Sequence, residues 1–285
     1  MSHIQKEAGN TSESGKAEVA WPKVSVLFVT YKRFEQLQRS FAAFLANTDY
    51  PNLELVITDD GSGPEIQAQI RTLAADKFAL APKNRGLGAN NNAGMRLCTG
   101  EYILMVQDDW VCNGPKNFLK DTVAVMEANP RVGIINFGGE PHPPDLDQRL
   151  SGSEEPCYVT PTPHCNAAGV GQLYCDHPHL RRSSVNTVVG PYLEDRDMER
   201  CEIDYFQRWG NQTYFMTAIF PGYHYKAFHD EGRYSSNSFR TTRLRYRMAA
   251  KLQWVKRLIP KPLLGFARAT IMIPIHCLER LRVIR

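Results

Sequence analysis

Five short apolar runs alternate with stretches of helical periodicity between residues 23 and 136, and this alternation leaves few folds open. The runs are 23–29 (KVSVLFV), 53–58 (LELVIT), 78–81, 102–106 (YILMV) and 132–136. A run that is apolar on both faces is a strand covered on both sides, as in a parallel sheet. Between the first two, segment 34–46 carries Phe34, Leu37, Phe41, Phe44 and Leu45 at helical spacing. Segments 64–73, with Pro64 in its first turn, 88–98 and 115–128 read as further helices. The expectation is an α/β, Rossmann-like, mostly parallel sheet with helices on both faces. Ligands in such sheets sit beyond the carboxyl ends of the strands, and Thr30-Tyr31, Asp59-Asp60 and Asp108-Asp109 all fall there.

The rhythm stops after residue 138. Segment 139–165 is rich in Pro, Gly, Ser and acids and reads as long loops, 199–209 reads as a helix, and 219–226 is strand-like. Residues 1–20 are too polar to offset ordering entropy and are expected to form a disordered tail. The organised domain is expected over 21–239, in two halves, 21–137 and 138–239. From Arg240 onward twelve Lys or Arg face one acid, Glu279, so this tail holds +11 of a net +4 and residues 1–239 hold −7. Its basic residues alternate with Leu244, Tyr246, Leu252, Trp254 and Leu258, with interruptions at Pro260, Pro262 and Pro274. The expectation for 240–285 is a basic amphipathic helical extension touching an anionic membrane surface. No nucleic-acid-binding module is recognisable, so nucleic acid is not an expected partner. No stretch of about 18 uncharged apolar residues predicts a spanning helix. The polar N-terminus lacks an apolar signal core, so the expected location is cytoplasmic, with a peripheral place on the cytoplasmic face of the membrane. The seven cysteines form no C-x-x-C and read as reduced thiols, and the spacings of Cys157, His164, Cys165, Cys175, His177 and His179 match no common zinc module.

Three polar clusters carry candidate chemistry. Gln107-Asp108-Asp109 ends a buried strand, where two acids are costly unless they face solvent or a cation. A hard divalent ion binds carboxylate and phosphate oxygens together and neutralises a departing diphosphate. Asp59-Asp60-Gly61-Ser62 offers acceptors for a base or ribose, or a capping turn before Pro64. The third cluster, 84–94 (NRGLGANNNAG), has two close glycines that admit a ligand to the backbone, but Asn91 stands where a dinucleotide fingerprint needs its third glycine. No Walker A sequence is present.

Taken in order, VSVLFVTYKR, LELVITDDGS, NRGLGANNNAGM and GEYILMVQDDW resemble glycosyltransferase family 2, inverting enzymes with a GT-A-type fold. The resemblance covers about 22–136 well and 186–240 more loosely. It implies transfer of a sugar from a nucleotide diphosphate sugar, UDP-sugars being favoured, to a hydroxyl of a glycan or lipid-linked acceptor. Residues 21–137 would be the nucleotide-sugar-binding half and 138–239 the acceptor half. Nucleotide-sugar binding would fall to Thr30, Tyr31, Arg33, Asp59, Asp60, Arg85, Asn92 and Asp108. The family's D-x-D falls on Gln107-Asp108-Asp109, where Gln107 replaces the first acid and Asp109 becomes the direct ligand of Mn2+ or Mg2+. The family's late E-D pair falls on Cys201-Glu202, which makes Glu202 the base, with Asp204 and the literal Glu194-Asp195 pair as competitors. His229 would complete the metal shell and Arg233 would clamp the diphosphate. Two other classes stand beside this reading. A sugar nucleotidyltransferase would need a Gly-rich basic loop where Thr30-Tyr31-Lys32-Arg33 stands, whereas an inactive nucleotide- or glycan-binding module is compatible with Gln107 and Cys201.

Overall fold

The computed structural model describes residues 20–137, 148–159, 174, 176–195, 197–220 and 227–230. The first half runs β1 (Val24–Thr30), α1 (Phe34–Ala46), β2 (Leu53–Asp59), α2 (Pro64–Ile70), β3 (Lys77–Leu80), α3 (Leu87–Met95), β4 (Tyr102–Gln107), β5 (Trp110–Cys112), α4 (Phe118–Ala128) and β6 (Val132–Asn136). It continues with β7 (Gln148–Leu150), β8 (Cys157–Val159), β9 (His179–Arg182), α5 (Val185–Val189), α6 (Met198–Asn211), β10 (Met216–Ile219) and β11 (Phe228–Asp230). The expected disordered tail up to residue 19, most of the strand-like segment 219–226, and the basic extension 240–285 lie outside the described residues.

One sheet has the order β3-β2-β1-β4-β9-β6-β10-β8-β7, and a two-stranded ribbon joins β11 to β5. β3, β2, β1 and β4 are mutually parallel. β9 then inserts antiparallel between β4 and β6, and β10 returns parallel to β6. The chain leaves β1 toward β2 and β3 on one side, then crosses to β4 on the other, so the order reverses between β1 and β4. In open α/β sheets the ligand crevice lies at that reversal.

Every residue of β1 is buried, and its alternate side chains serve two cores. Val26 and Phe28 pack with Leu37, Phe41 and Phe44 of α1 and Phe118 and Leu119 of α4. Leu27 and Val29 pack with Met105, Tyr192, Tyr205 and Trp209 on the opposite face. Such double burial requires a continuous apolar run rather than strict alternation. Gly88 lets α3 approach the segment before α6, since a Cβ there would stand 1.9 Å from the Leu193 carbonyl oxygen.

The amino-terminal edge of the sheet is closed by a buried acid. Glu54 accepts from Ser25 Oγ at 2.5 Å, Lys77 Nζ at 2.6 Å, and Thr99 through both backbone N–H and hydroxyl at 2.8 Å. Burial alone would push the Glu54 carboxyl up, but the Lys77 ammonium and these hydrogen bonds win and hold it at about 2. A carboxyl held below its unfolded value stabilises the fold above the unfolded pKa and loses that contribution as pH falls through the folded one. Glu54→Gln is therefore expected to cost roughly 3 kcal/mol at neutral pH. The difference from wild type should shrink between about pH 4.5 and 2, as read from urea denaturation midpoints at each pH.

Candidate active site

Thr30 ends β1 at the reversal and ties three elements together. Its Oγ1 donates to Asp108 Oδ2 at 2.7 Å, and its carbonyl accepts from the Asp60 N–H at 3.2 Å and from Asn90 Nδ2 at 3.1 Å. The chain then turns through Lys32, whose φ of 58° lies in the left-handed region that side chains rarely adopt. Its N–H is held by Ser62 Oγ at 2.7 Å. This turn brings Arg33 back over the end of β4, where one guanidinium nitrogen reaches Asp108 Oδ1 at 3.2 Å and Asp109 Oδ2 at 3.1 Å. Tyr31 stands exposed at the rim, with the Lys32 ammonium over its ring.

Asp108 and Asp109 are therefore unlike groups. Asp108 is buried, and desolvation pushes its carboxyl up to about 6 against the pull of Thr30 and Arg33. The Asp109 side chain is about a third exposed and faces outward beside Arg33. The acids of β2 face inward. Asp59 accepts from the Gly61 and Ser62 N–H groups and Gln67 Nε2, so it serves as the capping turn that the sequence also allowed. Asp60 accepts from the Arg85 N–H at 2.7 Å and the Gly86 N–H at 2.9 Å, which places it under the glycine loop at the start of α3. Burial pushes its carboxyl up, in opposition to those two backbone donors.

Asn92 is buried. Its amide brackets the backbone of Tyr192, donating to the carbonyl and accepting from the N–H, both at 2.9 Å. It also donates to Glu194, which is ion-paired to Arg85. The literal Glu194-Asp195 pair is thus spent on contacts, with Asp195 held by Arg200 at 2.8 Å. Asp204 is likewise occupied, by Arg208 one turn along α6 at 2.6 Å. Cys201 is buried and donates its thiol to the Leu193 and Asp195 carbonyls, which explains why an acid does not stand there.

Glu202 remains, on the face of α6 toward the site. Its carboxyl is pushed up to about 8, first by burial, then by the charge of Asp176, with His177 opposing. The fields of Asp176, Asp230, Glu202 and Asp109 all reach the His177 imidazole, whose affinity for a proton burial nevertheless lowers. These groups from β4, the approach to β9, α6 and β11 therefore converge. Gln107 Nε2 donates to Asp176 Oδ2 at 2.8 Å, and the His177 ring lies 4.9 Å from that of Trp110. Asp176 escaped the sequence reading because it precedes a four-residue strand with no periodicity, in a stretch read only for its Cys and His.

His229 sits on β11 opposite Val111, with Nδ1 2.6 Å from Asn113 Nδ2 and 3.2 Å from the Val111 carbonyl, so it could reach an ion only through Nε2. Arg233, His164, Cys165 and Cys175 lie outside the described residues. Among the described residues no three His, Cys, Asp or Glu form a ready metal site. The set does fit an ion shared with substrate, since Mg2+-like cations take one or two carboxylates and complete their shell with phosphate oxygens and water. Among the described residues no helix is long and apolar enough to cross a membrane.

Residues 25–164 match the family model described as Glycosyl transferase family 2. An uncharacterized glycosyltransferase of Nostoc sp. is 31% identical over 118 residues, which cover 40% of this chain and 36% of that relative's length. The chain therefore matches only about a third of that relative. Among solved structures, Staphylococcus aureus TarS 1–349 in complex with UDP-GlcNAc superposes with a TM-score of 0.56 at 17% identity, over 75% of this chain and 60% of that one. The mannosyltransferase PcManGT from Pyrobaculum calidifontis, in complex with GDP-Man and Mn2+, gives 0.55 at 14% identity, over 84% and 65%. The reversal of strand order at Thr30, the acids gathered there and the match agree, and residues 25–164 of the chain belong to glycosyltransferase family 2, on a GT-A-type fold.

Proposed function

We propose that this chain transfers a sugar from a nucleoside diphosphate sugar to a hydroxyl of a glycan or lipid-linked acceptor, with inversion at the anomeric carbon. The observation that carries the reading is the convergence of Asp109, at the end of β4, with Glu202 of α6 around His177. The nucleoside end would lie over β1 and β2, against Tyr31 and the Asp60–Arg85 loop. The diphosphate would cross the end of β4, where Arg33 already bridges two acids. TarS with UDP-GlcNAc and PcManGT with GDP-Man support a sugar nucleotide as donor, and the weight of the family resemblance favours uridine. A divalent cation, Mn2+ or Mg2+, would be held by Asp109 with diphosphate oxygens, and His229 and Arg233 would complete the surroundings. When bound, it neutralises charge on the leaving diphosphate.

Within that frame Glu202 is the base. Asp195 and Asp204 are each held by an arginine, whereas Glu202 has no ion-pair partner among the described residues and lies near His177. Its carboxylate takes the acceptor hydroxyl's proton as the oxygen attacks the anomeric carbon opposite the departing diphosphate, which inverts the centre. The pair Asp108–Thr30 fixes the end of β4 so that Asp109 stays aimed outward. The runner-up, an inactive binding module, is favoured only by Gln107 and Cys201. The structure gives each a structural partner, Asp176 and two backbone carbonyls respectively.

Two measurements test the reading. Calorimetry with UDP and GDP, with and without Mn2+, is expected to show metal-dependent binding of one diphosphate that Asp109→Ala weakens at least about tenfold. No binding of either by wild type would overturn the transferase reading. A base must be deprotonated to act, so kcat/KM should rise with pH up to about 8 and then level off. Glu202→Gln is expected to lower kcat by about 10²–10⁴-fold and remove that limb while leaving diphosphate binding intact.

A further inference from the structure

One carboxylate at the carboxyl edge of the sheet has no part in the reaction as described. Asp176 stands just ahead of β9 and is joined to the last residue of β4 by the hydrogen bond from Gln107. The Tyr174 hydroxyl donates to its other oxygen at 3.4 Å. That hydroxyl also shares a hydrogen bond with Tyr192, and Tyr192 and Tyr205 both receive the guanidinium of Arg181. Arg181 is completely buried, and its hydrogen bonds among the described residues go only to these two tyrosines and the Met105 sulfur. A buried guanidinium requires a countercharge, and Asp176 is the anion at the far end of its tyrosine chain. Burial pushes the Asp176 carboxyl up to about 6, with Gln107 drawing it back, so the ionised form prevails at neutral pH.

The position of Asp176 suggests what it holds. It feels the charge of Asp109 on one side, and its own charge is felt by Glu202 on the other. If the diphosphate lies at Asp109 and the attacking hydroxyl at Glu202, the ring bearing the anomeric carbon lies between them. An ionised carboxylate offers about four acceptor sites, and two are used here, one of them by a long bond. The remaining sites can accept only from donors, which on a sugar are hydroxyl or amide hydrogens. A uronic acid would bring a like charge against the ionised Asp176, and such juxtaposition is strongly disfavoured.

We propose that Gln107 and Asp176 form the donor-sugar subsite, in which Asp176 accepts hydroxyl or amide hydrogens of a neutral hexose or N-acetylhexosamine, Gln107 holds it in place, and the pair discriminates against uronic acid donors. The proposal rests on the transferase reading and gives the Gln107 position a role other than metal ligation. The test compares full-length wild type, Asp176→Asn and Gln107→Leu. The readouts are calorimetric binding of UDP and GDP, and diphosphate release from UDP-glucose, UDP-N-acetylglucosamine, GDP-mannose and UDP-glucuronic acid. Asp176→Asn is expected to bind the preferred free diphosphate within about twofold of wild type, to lose about 10- to 100-fold in kcat/KM for the preferred neutral donor, and to narrow the preference over UDP-glucuronic acid about tenfold. Gln107→Leu should move the same ratios by a smaller factor. Parallel loss of diphosphate binding and turnover in both variants, or an unchanged preference over UDP-glucuronic acid, would overturn the subsite. A wild type that binds neither diphosphate would instead overturn the transferase reading beneath it, and the two failures are distinguishable.

Discussion

Thr30 carries the geometry of the whole site through one hydroxyl and one carbonyl. The hydroxyl satisfies a carboxylate buried at the end of β4, and the carbonyl holds the start of the β2 turn and the amide of Asn90 on α3. Without that hydroxyl, Asp108 would keep only a partly exposed arginine as its partner, and a buried charge with too few partners is among the costliest features a fold can carry. The position also fixes where strand order reverses, because β1 pairs with both β2 and β4. Fold and site therefore share one constraint, the need to compensate an acid at the carboxyl edge of two central strands.

The two edges of the sheet treat their acids in opposite ways. At the amino edge, Glu54 receives a lysine, two hydroxyls and a backbone N–H, and its carboxyl falls to about 2. At the carboxyl edge, desolvation prevails over the available partners, and Asp60, Asp108, Asp176 and Glu202 all shift upward. The first arrangement is a completed structural clamp. The second is a set of anions whose neighbours only partly compensate them, the condition in which an added cation or a row of hydroxyl donors gains most. Perturbed carboxylates of this kind collect where chemistry is done, and among the described residues they collect at one edge.

Of the five sheet strands in residues 23–136, β1, β2, β4 and β6 were legible because their continuous apolar runs are largely buried on both faces, whereas β3 is a half-buried edge strand read from its short apolar run alone. The ends of elements were less legible. The helix expected at 115 begins at Phe118, after a turn in which the Phe118 N–H meets the Pro115 carbonyl, and the helix expected to reach 98 ends at Met95 in tightened i+3 bonds at Leu97 and Cys98. β9 could not be read at all. It is four residues long, contains two arginines, and exists because β4 and β6 each offer it an edge. At the site, local order in the sequence brought out Thr30, Asp108 and Asp109, which follow directly from strand ends. It did not bring out Asp176, whose role depends on a partner 69 residues away, nor the structural duty of Asn92, whose partner Tyr192 is 100 residues away.

The departures from the family pattern make physical sense once those long-range partners are placed. An aspartate at position 107 would end one methylene short of Asp176 and set a like charge beside it at a half-buried edge, whereas glutamine reaches it and donates. An acid at 201 would meet the Leu193 and Asp195 carbonyls, which only a donor can satisfy, and the cysteine thiol is a donor small enough to fit beneath Gly88. In both places a charge has been removed where the fold now supplies an acceptor. On the proposed reading, the carboxylates that remain, Asp109, Asp176 and Glu202, would serve the diphosphate, the donor sugar and the acceptor hydroxyl in turn.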